Sequence, residues 1–430
     1  MSNNYNIKLD TILPIAERIK GTCATKWLRQ IELMAGWEKG DVVKWQEERL
    51  QSLVKHAYNH TKYYKDLFDS LSITPDSIRT IDDLKRLPII TKDIIRERYN
   101  DLIPDNLSSF KYRECTTGGT TGSPMHYLCD ENVWGYVTAA KIYYWQKTSY
   151  QYGDRFAALG SASILNRKPS MTRRIYDIIR GEIAMNSMGL DDTLCNKYLS
   201  RIRDQHIRYL YGYASSIFII AKYALENCFE LKLDAVFTTS ENLTDYYRQT
   251  IEQAFDCKVM DCYGAKDAGI TAYETSKGHY NIGYNAITEI ENGSIISTNV
   301  LNNCFPLIRY DFGDVGELID SDIYNGQVLG HIFGRKSDVI RLKNGRILTA
   351  PGFTVLMTKF DICEFQIKQK TDDSILLFLK TNNNRLIEND EALLQKEMEK
   401  YVGDNCNVNI QYVDNFNTLK NGKRDFFICL

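Results

Sequence analysis

IRYLYGYASSIFIIAKYALENCFELKLDAVFTTSENLTDYYRQTIEQAFDCKVMDCYG, residues 207–264, contains three short apolar runs: IRYLYGY (207–213), LDAVFTTS (233–240) and CKVMDCYG (257–264). Each is the length of one strand, and the stretches between them, 214–228 and 243–255, have apolar residues at helical spacing. Strands joined by helices of that length pair in parallel, because a parallel neighbour needs a crossover connection. A fourth run, RFAALG (155–160), extends the pattern upstream. The fold class expected is therefore α/β.

Upstream, helical spacing dominates over 42–58 and 84–99, with Thr91 and Lys92 opening a helix after the breaker Pro88. Residues 1–110 are expected as a helical cap and 111–281 as the α/β core. From 282 the texture changes: ITEIENGSIISTNV (287–300) alternates with period two around Asn292-Gly293, the sequence form of a tight hairpin. A β-rich module over 282–334 would complete an N-terminal domain of 1–334. Beyond it lie the strand-like runs EFQIKQ (364–369), ILLFLK (375–380) and NVNIQYV (407–413), with a charged helix over 391–401. They are expected to form a small α+β C-terminal domain, 335–430.

Composition limits the function. The 430 residues are 43% hydrophobic and 12% aromatic, enough for a large core. A net charge of -2 with no block of like charges argues against a general nucleic-acid binder. The most apolar helical stretch, SSIFIIAKYAL (215–225), is interrupted by Lys222, so no membrane span is expected. MSNNYNIKLD lacks the basic and apolar regions of a secretory signal, which points to the cytoplasm. The 11 cysteines are scattered without C-x-x-C spacing and read as free thiols.

One run is built for an anion. Thr116-Thr117-Gly118-Gly119-Thr120-Thr121-Gly122-Ser123-Pro124 combines glycines, which let main-chain N–H groups approach a guest, with a row of hydroxyl donors. Polyphosphate is the natural guest, although no G-K-[ST] follows as a Walker loop requires. Downstream, in order, come Thr239-Ser240-Glu241, 261–267 (DCYGAKD), 309–314 (RYDFGD), 334–338 (GRKSD) and Asn421-Gly422-Lys423.

These six motifs, in this order, resemble those of the adenylate-forming superfamily, which includes acyl-CoA synthetases, adenylation domains and luciferases. Within it, TTGGTTGSP, the upstream LVKHAYNHTKYYKDLF and DDLKRLPIITKDIIRERY, and the compact length are most similar to the phenylacetate-CoA ligase branch and its CapK-type relatives. The resemblance spans roughly residues 45–425. It implies a small mobile C-terminal domain and an ATP-dependent ligase that joins a carboxylic acid to AMP and then passes the acyl group to a thiol, or to an amine or hydroxyl of a sugar. By the same resemblance, Thr116, Thr117, Gly118, Gly119, Thr120, Thr121 and Gly122 would hold the outer phosphates, and Thr120 and Asp267 a magnesium ion. Tyr263 and Gly264 would lie against adenine with Ser240 and Glu241, Asp314 and Arg335 would meet the ribose, and Lys423 would be the catalytic lysine, with Lys420 as the fallback. The acid would sit near Ser161, Tyr213, Ala214 and Ser215, small or polar positions that favour an amino or hydroxy acid, although Trp134, Tyr136 and Tyr143 could turn into the same pocket. Lys336 and Ser337 would be the hinge.

The chain departs from the pattern at Lys266-Asp267, where relatives carry Ser/Thr-Glu, and at Ser337, where many have Asp or Lys. Phenylacetate ligases commonly carry a Cys/His zinc cluster beyond the fifth motif; GITAYETSKGHYNIGY here offers His279 without cysteine, so no zinc is expected. The departures leave an alternative reading, a nucleotide-binding regulatory or scaffold protein that kept the fold and lost the chemistry.

Overall fold

The structure is a computed structural model that describes the chain apart from residues 1–5, 21, 118–124, 161–176, 188, 336–338, 343–346, 350–352, 354–355, 358, 371–373, 382–384, 404–406, 414–426 and 430. The N-terminal segment is helical: α1 (Leu13–Lys20), α2 (Ala24–Met34), α3 (Lys39–His60) and α4 (Lys62–Leu71). A two-residue strand β1 (Ile90–Thr91) leads into α5 (Lys92–Glu97) and α6 (Tyr99–Leu102). Thr91 caps α5 by accepting from the Ile94 N–H, as Thr61 caps α4 through Tyr64.

A hairpin, β2 (Tyr112–Thr116) with β3 (His126–Asp130), brackets the Gly/Thr loop and runs into α7 (Glu131–Trp145), whose first turn is capped by Asp130. Next come β4 (Phe156–Gly160), β5 (Glu182–Asn186), α8 (Asp192–Asp204), β6 (Tyr209–Tyr213), α9 (Ala214–Glu226), β7 (Ala235–Thr239), α10 (Asp245–Phe255) and β8 (Lys258–Ala265). Strands β5-β4-β6-β7-β8 pair in parallel in that order. The same sheet continues antiparallel through β9 (Ile270–Ser276), β10 (His279–Ile282), β11 (Ala286–Glu291), β12 (Ser294–Asn299), β13 (Tyr310–Ile319) and β14 (Val328–Arg335), with β1 docked parallel on β13. The β11–β12 hairpin turns at Asn292 and Gly293, both at positive φ (51° and 76°), which is the conformation that Asn-Gly selects.

Strand periodicity divides the core between two faces. Tyr209 and Tyr211 of β6 face α7 and the N-terminal helices, while Leu210 faces α8, α9 and α10. On the first face Trp145 stacks on Phe237 at 4.0 Å and meets Phe156 and Tyr211 edge-on at 5.2 Å. Truncating a buried ring of this size typically costs about 3–5 kcal/mol, so α7 is firmly held to the sheet.

The C-terminal part has its own core. After the β15 (Val339–Arg341) and β16 (Ile347–Thr349) pair, strands β17 (Ile362–Gln369), β18 (Ile375–Thr381), β19 (Val408–Tyr412) and β20 (Phe427–Cys429) form a sheet in the order β19-β18-β17-β20. Helix α11 (Glu388–Val402) buries Leu394, Met398 and Val402 against it. No helix among the described residues is long and apolar enough to cross a membrane.

Candidate functional site

The centre of the site forms where three strands present polar side chains together. Asp314 of β13 stands opposite Arg335 of β14 in the ladder, with its Oδ1 3.1 Å from Arg335 Nε. From β8, the Tyr263 hydroxyl donates to Asp314 Oδ2 at 2.7 Å. Asp314 is buried while Arg335 is partly exposed, so the carboxylate depends on its partners for stabilisation. Burial pushes the Asp314 carboxyl above its ordinary range, opposed by Arg335, the Tyr263 hydrogen bond and Lys92. Burial and the Asp314 charge also raise the Tyr263 phenol, so it stays a donor at neutral pH. Asp314 Oδ1 lies in ion-pair range of Arg335 without the alignment of a hydrogen bond, so this buried oxygen has no hydrogen-bond donor among the described residues.

The base of the Gly/Thr loop reaches the same place through Tyr310. Thr116 ends β2 opposite His126, and Thr117 closes the loop mouth: its N–H donates to the Met125 carbonyl at 2.9 Å while its Oγ1 accepts from Met125 N–H at 3.0 Å. The Tyr310 hydroxyl donates to Asp267 Oδ2 at 2.7 Å, and Met125 Sδ lies 3.7 Å from the same hydroxyl oxygen. Tyr310 pairs with Ile90 across β1 and β13, which brings Lys92, the first residue of α5, into the field of Asp267, Arg335 and Asp314. Burial lowers the Lys92 ammonium, with the Asp267 carboxylate the main opposing influence. Sequence reasoning read Lys92 only as a helix opener. The missed signal was a cation at a helix N-terminus, where the backbone dipole favours an anion, so such a lysine needs an anionic partner nearby.

A third group lies at the C-terminal ends of β6 and β7. Ser240 follows β7 with φ 66°, in the left-handed region. The Glu241 carboxylate accepts from the Ser215 N–H at 2.9 Å, so it caps the first turn of α9 directly after Tyr213 and Ala214. The Ser240-Glu241 segment and the Tyr213-Ser215 segment are thus joined by one hydrogen bond. A Cβ at Gly334 would stand 3.4 Å from Asn242 Nδ2, which places the loop after Glu241 beside the strand end that carries Arg335.

Over 407 residues the chain is 25% identical to the protein CapK of Staphylococcus aureus, covering 91% of this chain and 90% of that protein. It is 22% identical to the phenylacetate-coenzyme A ligase of Pseudomonas putida, over 85% of this chain and 89% of that one. A family model described as the CapK C-terminal domain matches residues 342–429. Among solved structures, 2-hydroxyisobutyryl-CoA ligase in the postadenylation state with 2-HIB-AMP aligns with a TM-score of 0.67 at 17% identity, covering 90% of this chain and 89% of the other. The fold is thus that of the adenylate-forming ligases. The chain is similar to CapK over nearly its whole length.

In this CapK-like chain the structure brings Tyr263, Asp314 and Arg335 into contact and sets Asp267 and Thr117 at the two ends of one chain of contacts. Gly264 is an exposed position in β8 beside Tyr263. Tyr213, Ala214 and Ser215 sit at the β6–α9 junction, apart from that cluster and tied to Glu241. Gly118, Gly119, Thr120, Thr121, Gly122, Ser161, Lys336, Ser337 and Lys423 lie outside the described residues. Asp267, with one oxygen held by Tyr310, suits magnesium, which takes one or two carboxylates and completes its shell with phosphate and water.

Proposed function

We propose that the chain is an ATP-dependent, AMP-forming carboxylate ligase. A carboxylate oxygen of the acid attacks the α-phosphorus of ATP, the bond to pyrophosphate breaks, and acyl-adenylate forms. A nucleophile then gives up its proton, attacks the acyl carbon and releases AMP. The observation that carries the reading is the Tyr263–Asp314–Arg335 cluster at the mouth of the Thr/Gly loop. Its carboxylate is an acceptor for ribose hydroxyls, its guanidinium supplies charge, and the phenol holds the carboxylate in place.

The remaining roles follow the same logic. The loop over 116–122 wraps the outer phosphates. Magnesium held by Asp267 and Thr120 would neutralise phosphate charge there. Lys92 adds a positive charge next to Asp267, and Lys423 brings one to the reacting oxygens. Tyr213, Ala214, Ser215 and Ser161 border the acid, and Glu241, by capping α9, positions that border. The chain from about residue 335 forms the mobile domain, with its hinge at Lys336 and Ser337. The nearly full-length similarity to CapK and to phenylacetate-coenzyme A ligase supports acyl transfer to a thiol, coenzyme A or a carrier. A sugar amine or hydroxyl in cytoplasmic surface-polysaccharide assembly is the acceptor that the CapK likeness adds.

The test is exchange of labelled pyrophosphate into ATP across a library of carboxylic acids that includes amino and hydroxy acids. Exchange with any member establishes the adenylation half-reaction. ATP binding by calorimetry without exchange for any acid would replace this reading with a nucleotide-binding one.

A further inference from the structure

Lys141 on α7 is a cation that the nucleotide chemistry does not use. Its ammonium lies 3.8 Å from the ring centroid of Tyr211 and 4.1 Å from that of Trp145, with Phe156 at 5.4 Å. Among the described residues it has no hydrogen-bond or ion-pair partner; the nearest carboxylate acting on it, Glu182, is paired with Arg180 at 3.1 Å. Aromatic faces attract a cation but do not neutralise it.

The sheet opposite Lys141 is lined by small side chains. Ala158 pairs with both Ala184 and Tyr211, so all three share the face turned toward α7. Ala158 and Ala184 are only half-buried, on β4 and on β5 at the edge of the sheet. Two residues further along the same strands, on the same face, stand Gly160, Asn186 and Tyr213. At ~3.3 Å per residue, Tyr211 and the two alanines lie roughly 7 Å deeper than that rim. Lys141 thus stands over the inner end of a strip of small side chains whose outer end is polar.

We propose that Lys141 reads the far end of the acid: the preferred substrate carries a second carboxylate, about four to six carbons along from the first. This deepens the ligase reading and rests on it. The first carboxylate stays at the rim to meet the α-phosphate, and the second pairs with the Lys141 ammonium, whose charge the aromatic rings leave unmatched. Burial, reinforced by Arg180 and opposed by Glu182 and Cys262, lowers the Lys141 ammonium to about 7, the surrounding negative charge being too little to offset the burial. An anionic guest supplies that charge and favours the protonated lysine.

Pyrophosphate exchange with matched pairs tests this: glutarate against valerate, adipate against hexanoate, pimelate against heptanoate. The expected result is a kcat/KM ratio favouring the diacid by tenfold or more in at least one pair, and a tenfold or greater fall of that ratio in Lys141→Met, which keeps the packing volume. Lys141→Arg, which keeps the charge, should retain most of the preference and serves as the second variant if Lys141→Met does not fold. Preference for the monoacid throughout, or a diacid preference that survives Lys141→Met, overturns the proposal while leaving the ligase reading intact. Absence of exchange with these acids and with the wider library defeats the ligase reading itself, and this proposal with it.

Discussion

Asp314→Asn isolates the nucleotide assignment, because it changes one charge while preserving shape. The substituted side chain still accepts from the Tyr263 hydroxyl, but it loses the attraction to Arg335 and presents a weaker acceptor toward a guest hydroxyl. Hydrogen bonds to a charged group contribute about 1.5–3 kcal/mol, so ATP should bind roughly tenfold to a hundredfold more weakly. Calorimetry with ATP and with 2′,3′-dideoxy-ATP provides the control: the loss should shrink to a few-fold on the nucleotide that lacks ribose hydroxyls. Stability should move the other way. The folded Asp314 pKa is raised, chiefly by burial, so this carboxyl contributes stability below its unfolded pKa and loses it as pH rises through the folded one. The Asn variant escapes that loss, and its Tm relative to the parent should therefore rise as pH climbs above about 4, the ordinary carboxylate range. An equal loss of affinity for both nucleotides would refute the ribose assignment. A Tm gap that moves against the variant with rising pH would refute the electrostatic one.

Lys92→Met should raise the KM for MgATP about tenfold, while AMP affinity changes less, because the lysine faces Asp267 at the phosphate end; equal effects on both nucleotides would count against that placement. Arg309→Met should lower stability by about 3–5 kcal/mol in denaturant unfolding, since the buried guanidinium bonds Glu289 and the Leu87 carbonyl, at 3.1 and 2.6 Å; a change under about 1 kcal/mol would show that these partners rehydrate freely. Lys423→Ala should slow pyrophosphate exchange roughly a hundredfold to a thousandfold with ATP affinity unchanged, and Lys420→Ala should not; the reverse pattern would shift the last motif by three residues.

Four of the five parallel strands, β4, β6, β7 and β8, were legible because they lie inside the sheet and are covered on both faces, whereas the edge strand β5 was not read. Residues 235–238 of β7 are all buried, so the strand reads as a plain apolar run, and Thr91, read as a helix start, caps α5. The β11–β12 hairpin was legible from Asn292-Gly293 alone. Strand β13 was harder, since YDFGDVGELI carries acidic residues and glycines that depress strand propensity. Its charged positions make sense only once Arg335 and Tyr263 arrive from other strands. Lys92 and Glu241 were illegible in their roles for the same reason: their partners are remote in sequence, and no local pattern records a contact across the sheet. Arg309 entered as part of a motif, yet the structure uses it to fasten β1 and the β11–β12 hairpin together at a residue with φ 56°.

The position of the site follows from where the sheet changes direction. Strand β8 runs parallel to β7 and antiparallel to β9, so the parallel ends, with their helix N-termini, meet strands of opposite direction at one line. A crevice at such a reversal gathers backbone N–H groups from one side and side chains from the other. Register decides whether those side chains face the crevice: a slip of one residue in β13 would turn Asp314 to the opposite face. Irregularities on either side of Gly316–Glu317 let β13 pair with β14 further along while Asp314 stays opposite Arg335. Gly313, at φ 92° with open space where a Cβ would stand, supplies the backbone freedom just before it. The glycines and acidic residues that make β13 read poorly as a strand are therefore what let it deliver a carboxylate to the crevice, and a weakened strand signal inside an otherwise regular sheet marks where the ligand chemistry lies.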